Sequence, residues 1–304
     1  MQLKLVFLGT TGSIPTLKRG MPAIAIKRGG ELLLFDCGEG TQRQLMRAHL
    51  SPLKLDAIFI THLHGDHFLG LAGLVQTMSL LGREQPLEIF CPAGEEERIE
   101  TFLRIPHYTI TFDIQVRGLE PGEVIDRKDY RILTAAPEHS VPQLAYALVE
   151  NERPGRLDVE KAISLGVQPG PDFARLKAGE PVKLPNGRVV RPEEVLGPKR
   201  PGRKIVYSGD TRPSESIVEL ARGADVLIHE CTLAEDLREK ANENLHSTPV
   251  GAAETAKRAG VKQLVLVHIS PRYEDPKVLL EQARAVFPNT IVAEDLMELE
   301  IPLE

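Results

Sequence analysis

Residues 61–67 read THLHGDH, three histidines and an aspartate within seven positions. Imidazole and carboxylate are the ordinary ligands of zinc and related divalent ions, and the run His62-x-His64-x-Asp66-His67 offers four of them at once. In an extended segment His62 and His64 face the same way, whereas Asp66 and His67 follow Gly65, where the chain turns into the helical stretch HFLGLAGLVQTMSLLG. Two neighbouring metal sites are therefore within reach of one turn. The plainer explanation, a pair of core histidines beside an aspartate that caps a helix, needs three coincidences in the same seven residues.

On both sides of this turn the apolar runs LKLVFLG, ELLLFDCG, DAIFITH, LEIFC, KIVYSGD, DVLIHE and QLVLVHIS alternate with helical stretches such as GTQRQLMRA and PVGAAETAKRAG. That alternation is the signature of an α/β protein. Asp36, His62, Asp210, His229 with Glu230, and His268 each stand at the C-terminal tip of an apolar run, the place where α/β folds build their sites. Asp36 by itself reads as the cap of the helix that follows it. Four ligands are too few for two metals, and His139 in APEHS, Asp210 in YSGDT and His268 in LVHIS are the downstream residues that complete a set.

With 304 residues, 42% of them hydrophobic, the chain has room for one large α/β domain or two small ones. It shows no charged-then-apolar leader and no run of 18 apolar residues, so a soluble, unexported, cytoplasmic protein is expected. Cys37, Cys91 and Cys231 are scattered without a C-x-x-C pair, which argues against a disulfide framework or a cysteine zinc site. The net charge of -6 is unevenly spread. Residues 151–204, rich in proline and glycine and lacking a sustained apolar period, carry twelve Lys and Arg against seven acids, which makes them +5 and leaves -11 for the rest. This stretch reads as a long loop inserted into a single domain spanning 1–304, either functional or disordered.

Beyond these local readings, the whole chain resembles the metallo-β-lactamase superfamily, whose marker is the His-x-His-x-Asp-His loop with later His, Asp and His ligands. More narrowly it resembles the tRNase Z family, on FLGTTGSIPT at 7–16, FDCGEGTQRQL at 35–45, HEC at 229–231, HST at 246–248 and HISPRY at 268–273. The segment QPGP at 168–171 is similar to the Gly-Pro element of that family's RNA-binding arm. One departure is visible: after Pro15 the family often has Lys-x-Arg-Asn, where this chain has Thr16-Leu17-Lys18-Arg19-Gly20.

The resemblance implies an αβ/βα sandwich, two mixed sheets face to face with helices outside and a protruding basic arm at 151–204. It implies two Zn2+ per subunit, one held by His62, His64 and His139, the other by Asp66, His67 and His268, with Asp210 bridging. Such a pair lowers the pKa of a bound water and provides a nucleophile near neutral pH. Asp66 would orient that water, and His246, partnered by Glu230, would protonate the leaving ribose oxygen. The implied activity is removal of the 3′ trailer of precursor tRNA, leaving a 3′-hydroxyl on the tRNA and a 5′-phosphate on the trailer. Lys18, Arg19, Gly170, Pro171, Arg175, Lys177, Arg272 and Tyr273 are the expected RNA contacts, and a homodimer is the expected assembly. A competing expectation is a small-molecule hydrolase of the same scaffold, an arylsulfatase, lactonase or thioesterase, since the same ligand set serves all of these. The long basic insertion is what speaks against it, and the full set of seven ligands speaks against a non-enzymatic scaffold.

Overall fold

All seven apolar runs are strands in the computed structural model, which describes residues 1–303. The first half of the chain forms β1 (Leu3–Gly9), β2 (Ala23–Arg28), β3 (Glu31–Phe35), β4 (Leu55–Phe59), β5 (Leu87–Pro92) and β6 (Ile114–Leu119). Then come β7 (Val124–Asp126), β8 (Tyr130–Ala135) and β9 (Ala145–Glu150), followed by the short β10 (Val182–Lys183) and β11 (Val189–Val190). The last stretch adds β12 (Lys204–Tyr207), β13 (Val226–Glu230), β14 (Gln263–Val267), β15 (Thr290–Val292) and β16 (Glu298–Glu300). Two mixed seven-stranded sheets result, ordered β16-β1-β2-β3-β4-β5-β6 and β15-β14-β13-β12-β9-β8-β7.

Period-two alternation divides each central strand between two layers. In the first sheet Val6, Leu8, Leu32, Leu34, Ile58 and Ile89 turn outward into a cluster with Leu45, Leu74, Met78 and Ile99 from the covering helices. The intervening Phe35, Phe59 and Phe90 stack in a row on the other face, with ring centroids 4.9 Å apart. Tyr146 of β9 meets Phe35 and Phe59 edge-on at 5.9 and 5.5 Å and donates its hydroxyl to the Ile60 carbonyl at 2.8 Å. This aromatic seam joins the sheets. Burying each ring stabilises the fold by about 2–3 kcal/mol.

Parallel pairing sets the site's position. β3, β4 and β5 run parallel, as do β12, β13 and β14. The loops that follow β3, β4, β12 and β14 carry Asp36, His62 with His64, Asp210 and His268, as expected for residues at strand tips.

Two expectations need correction. The stretch from His67 to Gly82 is not one helix. After α1 (Thr41–Arg47), a short α2 (Gly65–Phe68) ends before α3 (Leu71–Leu80) begins. The break lies at Gly70, which donates to the Cys37 carbonyl at 2.9 Å and sits so tightly that a Cβ would meet the Gly38 carbonyl oxygen at 2.1 Å. The stretch 151–204 is not a structureless loop either. Residues Val149–Arg203, with Lys128–Tyr130, form a separate compact unit. After α4 (Glu96–Arg104), it contains α5 (Val159–Ser164), α6 (Pro171–Lys177), the β10–β11 hairpin and α7 (Pro192–Val195). Ala162, Val167, Leu176, Val182, Leu184, Val190 and Val195 bury together as its own core. Elements of two to seven residues are too short to print a period on the sequence, and that is why the core was not visible there. Within this unit Glu150 and Arg203, both buried, form a two-pronged ion pair with Nε–Oε2 at 2.7 Å and Nη2–Oε1 at 2.8 Å. Among the described residues no helix is long and apolar enough to cross a membrane.

Candidate metal centre

The seven ligand candidates, drawn from positions as far apart as His62 and His268, converge in two groups that share no residue, and a third grouping joins Asp210 and His268 to His246. His62, His64, His139 and Asp210 place their ligand atoms within 4.8 Å of one another, and so do Asp66, His67 and His268. Asp210 connects them: its Oδ2 lies 3.9 Å from His62 Nε2, 3.4 Å from His67 Nε2 and 3.2 Å from His268 Nε2. Asp66 Oδ2 lies 3.6 Å from His67 Nε2 and 3.4 Å from His268 Nε2. His64 turns its Nδ1 inward, 3.0 Å from His62 Nε2 and 3.2 Å from His139 Nε2.

Each of four imidazoles is oriented from behind. His67 Nδ1 donates to Asp36 Oδ2 at 2.7 Å, His62 Nδ1 to Thr61 Oγ1 at 2.9 Å, His268 Nδ1 to Thr232 Oγ1 at 2.7 Å and His139 Nδ1 to the Leu245 carbonyl at 3.3 Å. The hydroxyls of Thr61 and Thr232 are themselves committed as donors, to Asp36 and to Glu230 Oε2. For His62, His139 and His268 the outer acceptor therefore assigns a proton to Nδ1 and leaves the Nε2 lone pair facing the centre. Burial would lower the pKa of His67, but Asp210 and Asp36 outweigh it and raise that ring well above the ordinary histidine range, so that a cation bound there takes the place of its Nε2 proton. Burial also pushes His62, His64 and His139 below the ordinary histidine range, which keeps those rings neutral. Asp66 and Asp210 pay a burial penalty as well, but His268 and His67 beside them hold both carboxyls ionised, below the usual carboxylate range.

These donors fit a metal site. His67 Nε2 and Asp210 Oδ1 are buried and have no hydrogen-bond partner in the protein, an arrangement a fold does not tolerate without a reason. Neutral imidazole and ionised carboxylate are the forms that bind cations. The surrounding backbone is strained in keeping with this. Of six described non-glycine residues with positive φ, Ser13, Asp36, Leu245 and His268 are at the site. Gly12 is needed for a different reason, since a Cβ there would strike the His268 ring at 2.3 Å.

His246 and Glu230 come together beside the cluster. His246 Nδ1 is 2.8 Å from Glu230 Oε1, and its ring centroid is 5.4 Å from those of His139 and His268. Burial alone would lower the pKa of His246, but the Glu230 carboxylate outweighs it and raises it to about 9. Glu230 is fully buried and also accepts from the Thr211 and Thr232 amides at 3.0 and 3.1 Å. Downstream, Thr248 caps α10 (Pro249–Ala259), which follows α8 (Glu215–Ala221) and α9 (Arg238–Glu243), by accepting from the Gly251 amide at 3.2 Å.

Asp36 does not cap α1, whose N-cap is Gly40. With φ at +57° it points back under the cluster, accepting from His67, the Thr61 amide at 2.7 Å and the Tyr207 hydroxyl at 2.8 Å. Thr61, Thr232, Tyr207 and the Ser13 amide, which donates to Asp66 Oδ2 at 2.7 Å, were not singled out. The available signal for Asp36 was its place at a strand tip ahead of Cys37-Gly38, shared with residues that were singled out.

The expected RNA contacts fall in two places. Lys18, Arg19 and Tyr273 line a cleft of about 290 Å3 with Ser270 and Pro271, and Arg272 is exposed nearby in sequence. Arg19 is only partly available, because its Nη1 donates to Thr10 Oγ1 and the Ala293 carbonyl, both at 2.6 Å. Tyr273 is likewise engaged, accepting from the Ala234 amide at 2.8 Å. Gly170, Pro171, Arg175 and Lys177 belong to the small unit, where Pro171 opens α6 and Arg175 pairs with Glu180 at 3.4 Å. A groove of about 560 Å3 in that unit is lined by Arg153, Arg156, Lys177 and Arg200, three of which sequence reading had only counted.

Comparison with known proteins agrees with this arrangement. The metallo-beta-lactamase superfamily matches residues 22–141, and a beta-lactamase superfamily domain matches residues 195–269. The chain is 52% identical over 301 residues to the ribonuclease Z of Methanosarcina acetivorans, covering 99% of this chain and 98% of that protein. It is 50% identical to the ribonuclease Z of Methanothermobacter thermautotrophicus, covering 98% and 97%. Among solved structures, that of human tRNase Z, short form, is 31% identical with a TM-score of 0.72 and covers 99% of this chain and 100% of that one.

Proposed function

The chain belongs to the ribonuclease Z family of the metallo-β-lactamase superfamily, and from that membership we infer that it is a metal-dependent endoribonuclease processing the 3′ end of precursor tRNA. The observation that carries the mechanism is the pair of donor groups meeting at Asp210, with the imidazoles of His62, His67, His139 and His268 held from behind. We assign His62, His64 and His139 to one Zn2+ and Asp66, His67 and His268 to a second, with Asp210 shared. Cations held there supply Lewis acidity toward the scissile phosphate and lower the pKa of water at the site.

The chain's own groups then divide the remaining tasks. Asp66, ionised and fixed by the Ser13 amide, orients the attacking water and accepts its proton. His246, kept protonated by Glu230, donates to O3′ of the tRNA as the P–O3′ bond breaks, which leaves a 3′-hydroxyl on the tRNA and a 5′-phosphate on the trailer. The +5 segment 151–204 acts as the RNA-binding arm of a body that is -11 without it, and so separates affinity from chemistry. Gly170, Pro171, Arg175 and Lys177 are its proposed contacts, with Lys18, Arg19, Arg272 and Tyr273 near the cut. A cytoplasmic homodimer completes the proposal.

Incubation with a 3′-extended precursor tRNA, followed by mapping of both new ends with and without chelator, tests this reading. A chelator-sensitive cut beside the discriminator base with a 3′-hydroxyl on the tRNA is expected. Turnover of a lactone, thioester or aryl sulfate with no RNA cleavage would refute it.

A further inference from the structure

Three exposed cations, Lys18, Arg43 and Arg47, line one cleft on the body of the protein. Some exposed arginines are paired, such as Arg104 with Glu100, Arg212 with Glu138 and Arg258 with Glu215, and others, such as Arg131, Arg222 and Arg284, form no ion pair among the described residues. Among the described residues Lys18, Arg43 and Arg47 form no ion pair, and Arg47 donates only to Gln44 Oε1 at 2.9 Å. Arg43 and Arg47 are four apart on α1 and so project from one face of it. With Lys18 they line a cleft of about 300 Å3 whose one outward carboxylate is the exposed Glu39. An acidic body has little reason to concentrate unpaired positive charge unless an anion is to bind there.

Both walls of this cleft lead directly into the metal loop. The Lys18 wall belongs to the segment 12–20, where Gly12 abuts the His268 ring and the Ser13 amide holds Asp66. The α1 wall begins at Gly38, whose Cβ would meet the Asp66 carbonyl at 2.2 Å, next to Cys37, which donates to the His67 carbonyl at 2.7 Å. Asp295 clamps the walls together from below. It accepts from Thr10 Oγ1 at 2.8 Å and the Gly20 amide at 2.7 Å, the two ends of the loop, and from Gln44 Nε2 of α1 at 2.8 Å.

We propose that Lys18, Arg43 and Arg47 bind backbone phosphates of the RNA strand that flanks the scissile bond, in a cleft whose width Asp295 sets as a positioning residue. This rests on the ribonuclease reading, and it gives the acidic body an RNA contact of its own beside the chemistry. The phosphates belong either to the trailer or to the tRNA side of the cut, and trailer length separates the two.

The test uses the full, metal-loaded chain and two precursor tRNAs, one with a single-nucleotide trailer and one with a long trailer. Arg43→Ala/Arg47→Ala raises KM about tenfold and lessens the slope of log KM against log salt by about 1.5, as expected for two lost phosphate contacts. Arg43→Lys/Arg47→Lys restores most of the affinity, because a point charge suffices for a phosphate. Asp295→Asn raises KM although it removes no cation, and adds little on top of the double alanine variant, because both act on one cleft. A loss confined to the long-trailer substrate assigns the phosphates to the trailer, and an equal loss on both assigns them to the tRNA side. KM and salt slope of the double alanine variant within twofold of wild type on both substrates would overturn the proposal. Wild-type protein that cleaves neither substrate would instead remove the ribonuclease reading beneath it.

Discussion

Replacing Asp36 by Asn keeps the shape of the group behind His67 but removes the charge that holds the Nδ1 proton and turns Nε2 inward. Metal affinity is expected to fall about 10–100-fold with little change in fold, measurable by competition with a chromophoric chelator. His246→Ala belongs to the opposite class: metal content stays as in wild type, while kcat for precursor tRNA drops by about 10²–10⁴, as for loss of a general acid. Cleavage at the wild-type rate by that variant would take His246 out of the mechanism. The contrast mirrors what was readable in the sequence. His62, His64, Asp66 and His67 announce themselves because a local turn needs them close together. Asp36 and Tyr207 meet across 171 positions, and Thr232 meets His268 across 36. Nothing in the residue types alone marks an aspartate, a tyrosine and a threonine as supports for histidines so far away.

At the scale of elements, the break between α2 and α3 shows how backbone packing overrides an apolar pattern. The stretch from His67 to Gly82 has helical composition, yet Gly70 lets the Cys37–Gly38 turn approach closer than any side chain would allow. Gly70→Ala is therefore expected to cost about 1–3 kcal/mol through overpacking, seen as a lowered Tm, and to disturb His67, which lies in the helix just before it. The small unit is the reverse case, in which composition suggested a loop and short elements with their own core form instead. Its buried Glu150–Arg203 pair makes a prediction: Arg203→Ala strands a buried carboxylate and destabilises the unit by about 3–5 kcal/mol. Hydrogen exchange should then report loss of protection at 155–198, with the strands of the two large sheets still protected. Equal loss in both would contradict an independent core.

For the whole molecule, the α/β class and the strands carrying the site were legible because buried parallel strands read as uninterrupted apolar runs. The sheet order was not, since β1 pairs with β16 from the far end of the chain, and β2, β6 to β9, β15 and β16 are less conspicuous than the buried central strands. Charge was legible only after division by segment, because a total of -6 conceals a +5 stretch in a -11 remainder. That division matters for function: RNA binding should weaken steeply with salt through the basic segment and the Lys18–Arg43–Arg47 cleft.

We propose that cations gripped by His62, His64, Asp66, His67, His139, Asp210 and His268 make the cleavage possible. The most direct test is to strip the protein of metal, add Zn2+ back in measured amounts, and follow precursor-tRNA cleavage against metal bound per chain by elemental analysis. Cleavage should vanish in the stripped protein and return to completion as two ions bind, with far less recovery in Asp210→Ala. Full cleavage by protein shown to be free of metal would rule that dependence out.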